Sequence, residues 1–418
     1  MKILQVTPFF KPSWESGGVA RAAYEISRRL QMAGHDVTVY TTNRSTYPTG
    51  LPTNRPIDIE GMRVYYFENL RKYFPSTAAI PVVPYYLPFV ARRDLQNYDI
   101  IHIHEHRTLL AAIVSHYARE YGIPYVLQPH GSLPKNRTLG KVRVKNLFDL
   151  ISGSATLDAA SRLIVMNSME KEQSIMMGIR EDKIAVIRNG ISLERCITAR
   201  SKGEFRKSCG IENGSNLILY LGRIDRIKGI DFLIEAFYRL VQEQKDAILV
   251  IAGPEWGYKQ ELEEKVRTLG IQDRVRFVGY MDDVGFAYQD ADLLVYPGMY
   301  EIFGLVPFEA IMSGTPVIVT DGNGSGELIR EGDCGLVVRY GDCADLAKKM
   351  AFCLENPEEG RKMIQRGQEF VRKNLTWDRI VEKLDQEYRK CLCLQKSGNP
   401  TTSSSTVEKL EQEYQKCL

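Results

Sequence analysis

The chain has 418 residues, which at roughly 100 to 200 residues per domain predicts two domains or at most three. Hydrophobic residues make up 44% and charged residues 26% of the sequence, a globular composition that excludes disordered and collagen-like chains. Lysine and arginine total 55 against 52 acidic residues, a formal net charge of +3. This balance gives no global reason to expect nucleic-acid binding, so a basic function would need a local patch.

The first residues form an apolar run, from Met1 to Val6, that is too short for a secretory signal and is followed by Pro8. We therefore expect a cytoplasmic protein. Residues 74–91 carry no charge over 18 positions, which is about the minimum length of a transmembrane helix. Four prolines interrupt the stretch, and each removes a backbone donor that lipid could not replace. The pattern predicts an irregular loop or a broken helix, rich in aromatic residues, and not a membrane span.

Short apolar runs alternate with longer amphipathic segments along most of the chain, as in α/β proteins with parallel sheets. In the first half the predicted strands are Lys2–Val6, Asp36–Thr41, Arg63–Phe67, Asp99–His104, Pro124–Gln128 and Arg162–Met166. In the second half they are Asn216–Leu221, Ala247–Ala252, Arg274–Val278, Asp292–Tyr296, Pro316–Thr320 and Gly335–Val338. The sequence therefore predicts two doubly wound, Rossmann-like domains in series.

The domain boundaries follow from this alternation. We predict an N-terminal domain (1–191), a linker (192–214), a C-terminal domain (215–375), a terminal helix (376–394) and a flexible segment with a second helix (395–418). Ligands of open parallel sheets bind beyond the carboxyl ends of the strands. Two such domains predict a cleft between facing strand ends.

The C-terminal tail contains a repeat. Residues 381–392 recur as residues 407–418 with ten of twelve positions identical. Both copies have an amphipathic helical spacing of apolar residues. One interpretation is a duplicated terminal helix without function, and the other is a helix that binds in a groove on a partner chain.

The strongest chemical signal follows the strand Asn216–Leu221. Gly222-Arg223 is followed by Lys228-Gly229, directly before a predicted helix. Glycine permits close backbone approach, and a helix N-terminus favours negative charge. Arginine adds a fork of donors and lysine a point charge. The pattern predicts a diphosphate site.

A second signal is the pair Glu301 and Glu309, with Gly304 between them and a predicted helix over Leu305–Met312. The two carboxylates do not share a helix face, so they are poor candidates for a glycosidase acid and nucleophile. Hydrogen bonds to sugar or ribose hydroxyls explain their separation better. Backbone amides of Phe303, Gly304 and Leu305 would add to the phosphate site.

Together these motifs resemble the family 4 retaining glycosyltransferases of the GT-B fold. The resemblance covers about residues 1–390 and includes three N-terminal motifs, Gly17-Gly18-Val19, Pro129-His130-Gly131-Ser132 and Asn189-Gly190-Ile191. It implies two Rossmann-like domains facing a cleft, with a C-terminal helix that crosses back to the N-terminal domain. Arg188 stands where the family more usually has proline, and residues 252–255 lack a second close glycine.

The resemblance also implies residue roles. Arg223 and Lys228 would neutralise the leaving diphosphate, and Glu309 would hold the ribose hydroxyls. Glu301 and His130 would contact the transferred sugar. The donor would also contact the backbone at the residues Gly17, Gly18, Val278, Gly279, Phe303, Gly304 and Leu305.

The mechanism expected from this inventory uses neither a metal nor a cofactor. The sequence has no Asp-x-Asp motif at the site and no obvious carboxylate nucleophile. The leaving phosphate would then take the acceptor's proton in a same-face substitution. His102, His104 and His106 form a cluster for which a role in lining the acceptor side is favoured over metal binding.

A basic run follows the His130 segment, with five cations in the eleven positions from 135 to 145, namely Lys135, Arg137, Lys141, Arg143 and Lys145. A solvated face is the ordinary explanation. With the aromatic loop and the apolar residues 147–151, it also indicates a site for an anionic lipid-linked acceptor or peripheral contact with the inner membrane face.

Three alternatives remain at this stage. A nucleotide-sugar 2-epimerase of the same fold would need further acids and no acceptor, a phosphorylase would need pyridoxal phosphate, and an inactive scaffold would bind donor without turnover. The expected partners are a nucleotide-sugar donor, linked to GDP or UDP, and a glycan or lipid-linked acceptor.

Overall fold

The computed structural model describes residues 1–14, 17–44, 50–70, 82–134, 142–211, 214–243, 245–299 and 301–396. The contacts divide the chain into two compact units. Unit 1 comprises residues 1–165, 172–187 and the chain from residue 381 on, and unit 2 comprises residues 166–171 and 188–380. Each unit is built on one sheet.

The sheet of unit 1 has eight strands in the order β3-β4-β2-β1-β5-β6-β7-β8. Their bounds are β1 Lys2–Val6, β2 Asp36–Thr42, β3 Pro56–Ile59, β4 Met62–Phe67, β5 Ile100–His104, β6 Tyr125–Gln128, β7 Arg162–Val165 and β8 Ile184–Val186. Every residue of β5 and β6 is buried, because a central parallel strand is covered on both faces.

The sheet of unit 2 has six parallel strands in the order β11-β10-β9-β12-β13-β14. Their bounds are β9 Asn216–Leu221, β10 Ala247–Ala252, β11 Val275–Gly279, β12 Leu293–Tyr296, β13 Val317–Thr320 and β14 Leu336–Val338. Alternate residues of β9 enter different hydrophobic clusters: Leu217 and Leu219 enter one, and Ile218 and Tyr220 the other. This alternation gives the sheet a core on each face.

Helices follow most of the strands. Their bounds in chain order are α1 Gly18–Met32, α2 Leu87–Asp94, α3 Leu109–Glu120, α4 Val142–Phe148, α5 Ser154–Asp158, α6 Ser168–Met176, α7 Glu204–Ser208, α8 Ile230–Gln242, α9 Lys259–Thr268, α10 Gly285–Tyr288, α11 Leu305–Met312, α12 Gly324–Glu331, α13 Cys343–Glu355, α14 Pro357–Asn374 and α15 Trp377–Lys396. The predicted fold, two Rossmann-like α/β units with a C-terminal helix that returns to unit 1, is confirmed.

Two strands of unit 1, β3 and β8, were not predicted from the sequence. The apolar β8 has only three residues and is partly exposed, and β3 is an edge strand that pairs with β4 in antiparallel register. Neither has the buried apolar run of a central parallel strand. The antiparallel β3 is an additional edge strand beside the predicted parallel strands of unit 1.

The segment predicted as a linker contains the short helix α7. Phe205 is buried in the core of unit 2. The carboxylate of Asp290 accepts hydrogen bonds from the backbone amides of Gly203 at 2.7 Å and Phe205 at 2.9 Å. The cap comes from a residue far along the chain, which a local pattern does not reveal.

Several predicted features lie outside the described residues. These are the cations Lys135, Arg137 and Lys141, residues 74–81 of the uncharged stretch, and residues 397–418, which hold most of the predicted flexible segment and the second copy of the terminal helix. Among the helices of the described residues, none has the length and apolarity needed to cross a membrane.

Candidate active site

The predicted diphosphate motif of unit 2 lies beyond the carboxyl end of β9. Lys228 ends a short 3-10 turn, and Gly229 precedes the first residue of α8. Gly229 has a φ of 64°, and a Cβ placed on it would lie 2.4 Å from the carbonyl oxygen of Pro297. Only glycine meets both demands. The chain thereby carries Lys228 to the N-terminus of a thirteen-residue helix.

Lys228 is a buried cation with a carboxylate partner. Its exposed fraction is 9%, and its ammonium group forms an ion pair with Glu301, which follows β12. The ammonium also lies 5.9 Å from the ring centre of Tyr296. Burial, and then the nearby charge of Glu301, raise the pKa of the Tyr296 hydroxyl well above its ordinary value. Two sequence candidates, Lys228 and Glu301, are thus in direct contact.

Arg223 has an aromatic partner that the sequence analysis missed. Its guanidinium group lies 4.5 Å from the ring centre of Trp256. The Trp256 amide donates to the carbonyl of Ile224 at 3.1 Å, so the chain segments after β9 and β10 run side by side. Trp256 is 53% exposed. Its indole face holds the arginine by a cation–π contact.

Glu309 lies within α11, and the prediction of this helix over Leu305–Met312 is confirmed. Its exposed fraction is 4%. Tyr288 donates a hydrogen bond of 2.9 Å to one carboxylate oxygen, and an Arg195 guanidinium nitrogen lies 3.7 Å from the other. Burial, and then the charge of Glu309, raise the pKa of Tyr288 well above its ordinary value. The Tyr288 hydroxyl therefore remains a donor to this carboxylate.

The residues of unit 2 whose backbone is expected to contact the donor lie around the start of α11 and at the end of β11. Gly304, with a φ of 72°, precedes the first residue of α11, Leu305. The Phe303 side chain is buried and packs on Phe308. Val278 and Gly279 end β11, and the carbonyl of Gly279 accepts from the amide of Gly253 at 2.7 Å.

In unit 1 the candidate histidine follows β6. His130 has a φ of 52°, a left-handed conformation that is rare for a residue with a side chain and is found at functional sites. Its Nε2 lies 2.8 Å from Nδ1 of His104. Burial lowers the pKa of His130 to about 3, so its ring is neutral.

The remaining candidates of unit 1 are the glycines before α1. Gly17, with a φ of 90°, is the residue before this helix, and Gly18 is its first residue. The left-handed conformation of Gly17 requires glycine.

The histidine cluster is held by hydrogen bonds within unit 1. His102 and His104 are buried, and His106 Nδ1 lies 3.1 Å from the hydroxyl of Ser132. Arg107 donates to the carbonyl of Leu133 at 3.0 Å and to Asp149 at 2.8 Å. Among the described residues, no group of three or more histidine, cysteine or acidic side chains is arranged so that it could hold a metal ion.

Two family models together match most of the chain. The model of "Glycosyltransferase Family 4" matches residues 16–195, and that of "Glycosyl transferases group 1" matches residues 201–370. An uncharacterized glycosyltransferase of Methanocaldococcus jannaschii is 28% identical over 396 residues, which cover 93% of this chain and 98% of that protein. D-inositol 3-phosphate glycosyltransferase 2 of Catenulispora acidiphila is 28% identical over 377 residues, which cover 85% of this chain and 86% of that protein.

Solved structures give the same fold. HepE of Anabaena, in complex with UDP-glucose, has a TM-score of 0.74 at 20% identity and covers 93% of this chain and 100% of its own. WaaG, a glycosyltransferase involved in lipopolysaccharide biosynthesis, has a TM-score of 0.67 at 18% identity. The match covers 92% of this chain and 99% of WaaG.

The chain belongs to the family 4 glycosyltransferases. It is therefore a nucleotide-sugar glycosyltransferase of the GT-B fold, and the family transfers sugars with retention of the anomeric configuration. The residues of this candidate site that the sequence analysis did not single out are Trp256, Tyr288 and Arg195. An aromatic residue shortly after β10 was a visible signal for Trp256, whereas Tyr288 and Arg195 reach Glu309 only through the fold.

Proposed function

We propose that this glycosyltransferase moves a hexose from a nucleotide diphosphate sugar to a glycan or a lipid-linked acceptor without a metal ion. The observation that carries the proposal is the buried Lys228, paired with Glu301 at the N-terminus of α8. A buried lysine is costly unless it has an anionic partner. The flexible stem of lysine allows the ammonium to contact both a carboxylate and a phosphate.

In this proposal each candidate side chain of unit 2 binds one part of the donor. Arg223 and Lys228 bind the diphosphate, and the amides at the start of α11 add donors to it. Glu309 accepts from the ribose hydroxyls, and Glu301 from hydroxyls of the sugar. In unit 1, His130 contacts the sugar near its anomeric carbon, and Gly17 and Gly18 let the backbone approach the phosphate.

The reaction we propose is a same-face substitution. The bond from the anomeric carbon to the diphosphate oxygen breaks while the acceptor oxygen bonds to the same face of that carbon. The leaving phosphate takes the acceptor's proton, and the diphosphate charge is stabilised by Arg223, Lys228 and helix amides. Each well-placed donor of this kind contributes about 3 to 4 kcal/mol.

UDP is the first nucleotide to test. HepE binds UDP and UDP-glucose in its structures, and GDP-linked sugars are the alternative for this chain. The base would lie near Val278 and Gly279, beside the exposed Tyr280.

A thermal-shift experiment tests the donor site. A nucleotide at about 100 times its dissociation constant raises the unfolding free energy by about 2.7 kcal/mol. We expect UDP or GDP to raise the Tm of the protein. Glu309→Gln should weaken this binding about tenfold, or about 1.4 kcal/mol, because the amide loses the negative charge that strengthens hydrogen bonds.

Two controls separate a specific effect from a general one. The exposed Glu264 of α9 offers a matched Glu264→Gln variant, which should bind like the original protein. A 2′,3′-dideoxynucleotide should bind equally to the original protein and to Glu309→Gln. A Glu309→Gln variant that binds UDP and GDP without loss would contradict the ribose contact.

We further propose that α4 and the turn after it meet an anionic membrane that carries the acceptor. Val144, Leu147, Leu150 and Ile151 recur at helical spacing and are 68%, 58%, 83% and 73% exposed. The turn is a π-helix over Asp149–Gly153. Arg143 and Lys145 flank this apolar face, and a cation near an anionic membrane contributes about 1 kcal/mol.

Vesicle sedimentation tests the membrane contact. Leu150→Glu combined with Ile151→Glu should reduce binding to phosphatidylglycerol vesicles at least tenfold, because each exposed side chain loses about 1.5 to 3 kcal/mol of apolar burial. Met176→Glu, which changes an apolar residue of α6 that is 83% exposed, should bind like the original protein. Equal sedimentation of all three proteins would refute the contact.

A further inference from the structure

Five polar side chains form one continuous hydrogen-bonded chain inside unit 1. His130 Nε2 lies 2.8 Å from His104 Nδ1, and His104 Nε2 lies 2.9 Å from the Gln5 carbonyl oxygen, Oε1. The Gln5 amide nitrogen lies 3.4 Å from the Tyr388 hydroxyl, which lies 2.6 Å from His102 Nδ1. We call these five residues the histidine relay.

The relay lies where a parallel sheet is ordinarily apolar. Gln5 of β1 is in register with His102 of β5, and His104 is two residues further on the same face. The rings of His102 and His104 stack with their centres 4.2 Å apart, and those of His104 and His130 with their centres 5.1 Å apart. Gln5, His102, His104 and Tyr388 are each fully buried. Burial of these groups is costly unless their donors and acceptors are paired.

The amide of Gln5 gives the relay a direction. Its carbonyl oxygen can only accept, so His104 carries a proton on Nε2 and presents a lone pair on Nδ1. His130 must then donate from its own Nε2. At the other side, the Gln5 amide nitrogen donates to Tyr388, whose hydroxyl donates to His102 Nδ1. Every step has one donor and one acceptor.

The relay also requires neutral rings. Burial lowers the pKa of His102 to about 3 and holds the pKa of His104 well below its ordinary value. A neutral imidazole has one protonated and one bare nitrogen. With its proton on Nε2, His130 keeps a bare Nδ1.

We propose that Gln5 and Tyr388 are positioning residues that fix the tautomer of His130 through His104. In that tautomer Nδ1 of His130 is an acceptor and takes a hydrogen bond from a hydroxyl of the transferred sugar. The second statement rests on the proposed function, whereas the tautomer itself is a property of the protein without substrate. An amide in β1 and a hydroxyl in α15 thereby determine which group the candidate active site offers.

Nitrogen NMR of the ring atoms tests the relay. The chain has only six histidines, so a full-length protein labelled with ¹⁵N-histidine gives six ring patterns in a two-bond ¹H–¹⁵N correlation spectrum. His104→Asn and His130→Gln identify the two patterns of interest by their loss. We expect both residues as neutral Nε2–H tautomers in the protein without ligand. A His130 that carries its proton on Nδ1 would overturn the proposal.

Tyr388→Phe tests the control of the tautomer. It removes only the hydroxyl, so the Gln5 amide loses its acceptor and can present nitrogen to His104. We expect the Nδ1–H tautomer of His130 to appear, and kcat/KM for the donor to fall by about fivefold, the factor for one ordinary hydrogen bond. Gln5→Leu should show the same mixture of tautomers.

Tyr125→Phe is the matched control. Tyr125 is another buried tyrosine of unit 1, and its hydroxyl donates to the Thr156 carbonyl at 2.6 Å, outside the relay. This variant should leave the His130 pattern unchanged. If Tyr388→Phe also leaves it unchanged, the relay does not set the tautomer. If the expected tautomers are found in a protein that transfers no sugar, the proposed function fails and the direction of the relay stands.

Discussion

Lys228→Ala is expected to lower kcat by about 10² to 10³, the usual effect of removing one donor that stabilises developing negative charge. Lys228 is the buried cation of the proposed diphosphate site. Its charge matters most when the bond to the diphosphate breaks, so kcat should fall more than the affinity for donor. Steady-state kinetics with the donor that the thermal-shift screen identifies would measure both.

Arg226→Ala provides the matched control for this prediction. Arg226 lies in the same 3-10 turn but is exposed, and it pairs with Glu261. We expect this variant to retain nearly full activity. Because Lys228→Ala also leaves Glu301 without its lysine, the Tm of both variants should be compared. A folded Lys228→Ala protein with normal kcat would rule out the assigned role.

Gly253→Ala is expected to destabilise unit 2 by about 2 kcal/mol or more, because it combines overpacking with backbone strain. A Cβ at this position would lie 1.8 Å from the carbonyl oxygen of Gly222, and Gly253 has a φ of 144°. The clash would displace the segment that carries Arg223. We therefore expect a lower Tm together with weaker nucleotide binding.

Gly257→Ala separates the clash from the strain. Gly257 lies in the same loop with a φ of 82°, and a Cβ added there would meet no atom of the described residues within 4 Å, apart from its own chain neighbours. This control should cost only the strain of a left-handed residue, about 1 to 2 kcal/mol, and should leave the neighbourhood of Arg223 in place. Equal Tm and nucleotide affinity for the two variants would show that the contact with Gly222 is unimportant.

The central strands could be predicted from the sequence because burial on both faces leaves a continuous apolar run. The bounds predicted for β1, β9 and β10 are those observed. The edge strand β3 lacks this run, and the run of β8 is short and only partly buried, since an edge strand is partly solvated. The residues of β3 resemble the loops around them and β8 has only three residues, so the pairing identifies both as strands.

The residues of the candidate site also differ in whether a local sequence pattern marks them. Arg223, Lys228 and Glu309 could be proposed from the sequence because glycines and strand ends mark their positions. Tyr288 and Arg195 could not, because their contacts with Glu309 arise only when distant segments fold together.

The relay shows a further limit of the sequence. The same-face placement of His102 and His104 follows from strand periodicity. A single glutamine in β1 gives no signal of its function, and Tyr388 has the spacing of an ordinary apolar stripe on α15. Both residues acquire their role from the partners that the fold supplies.

The place of α15 in unit 1 has a consequence for biosynthesis. Gln5 and His102 emerge early from the ribosome, whereas their common partner Tyr388 emerges after the whole continuous segment 188–380 of unit 2. Domains generally fold in the order of their synthesis. Here unit 1 cannot complete its buried hydrogen bonds until unit 2 has been translated. A nascent chain that stops before residue 381 contains all eight strands of the unit 1 sheet, but its Gln5 and His102 lack the Tyr388 hydroxyl.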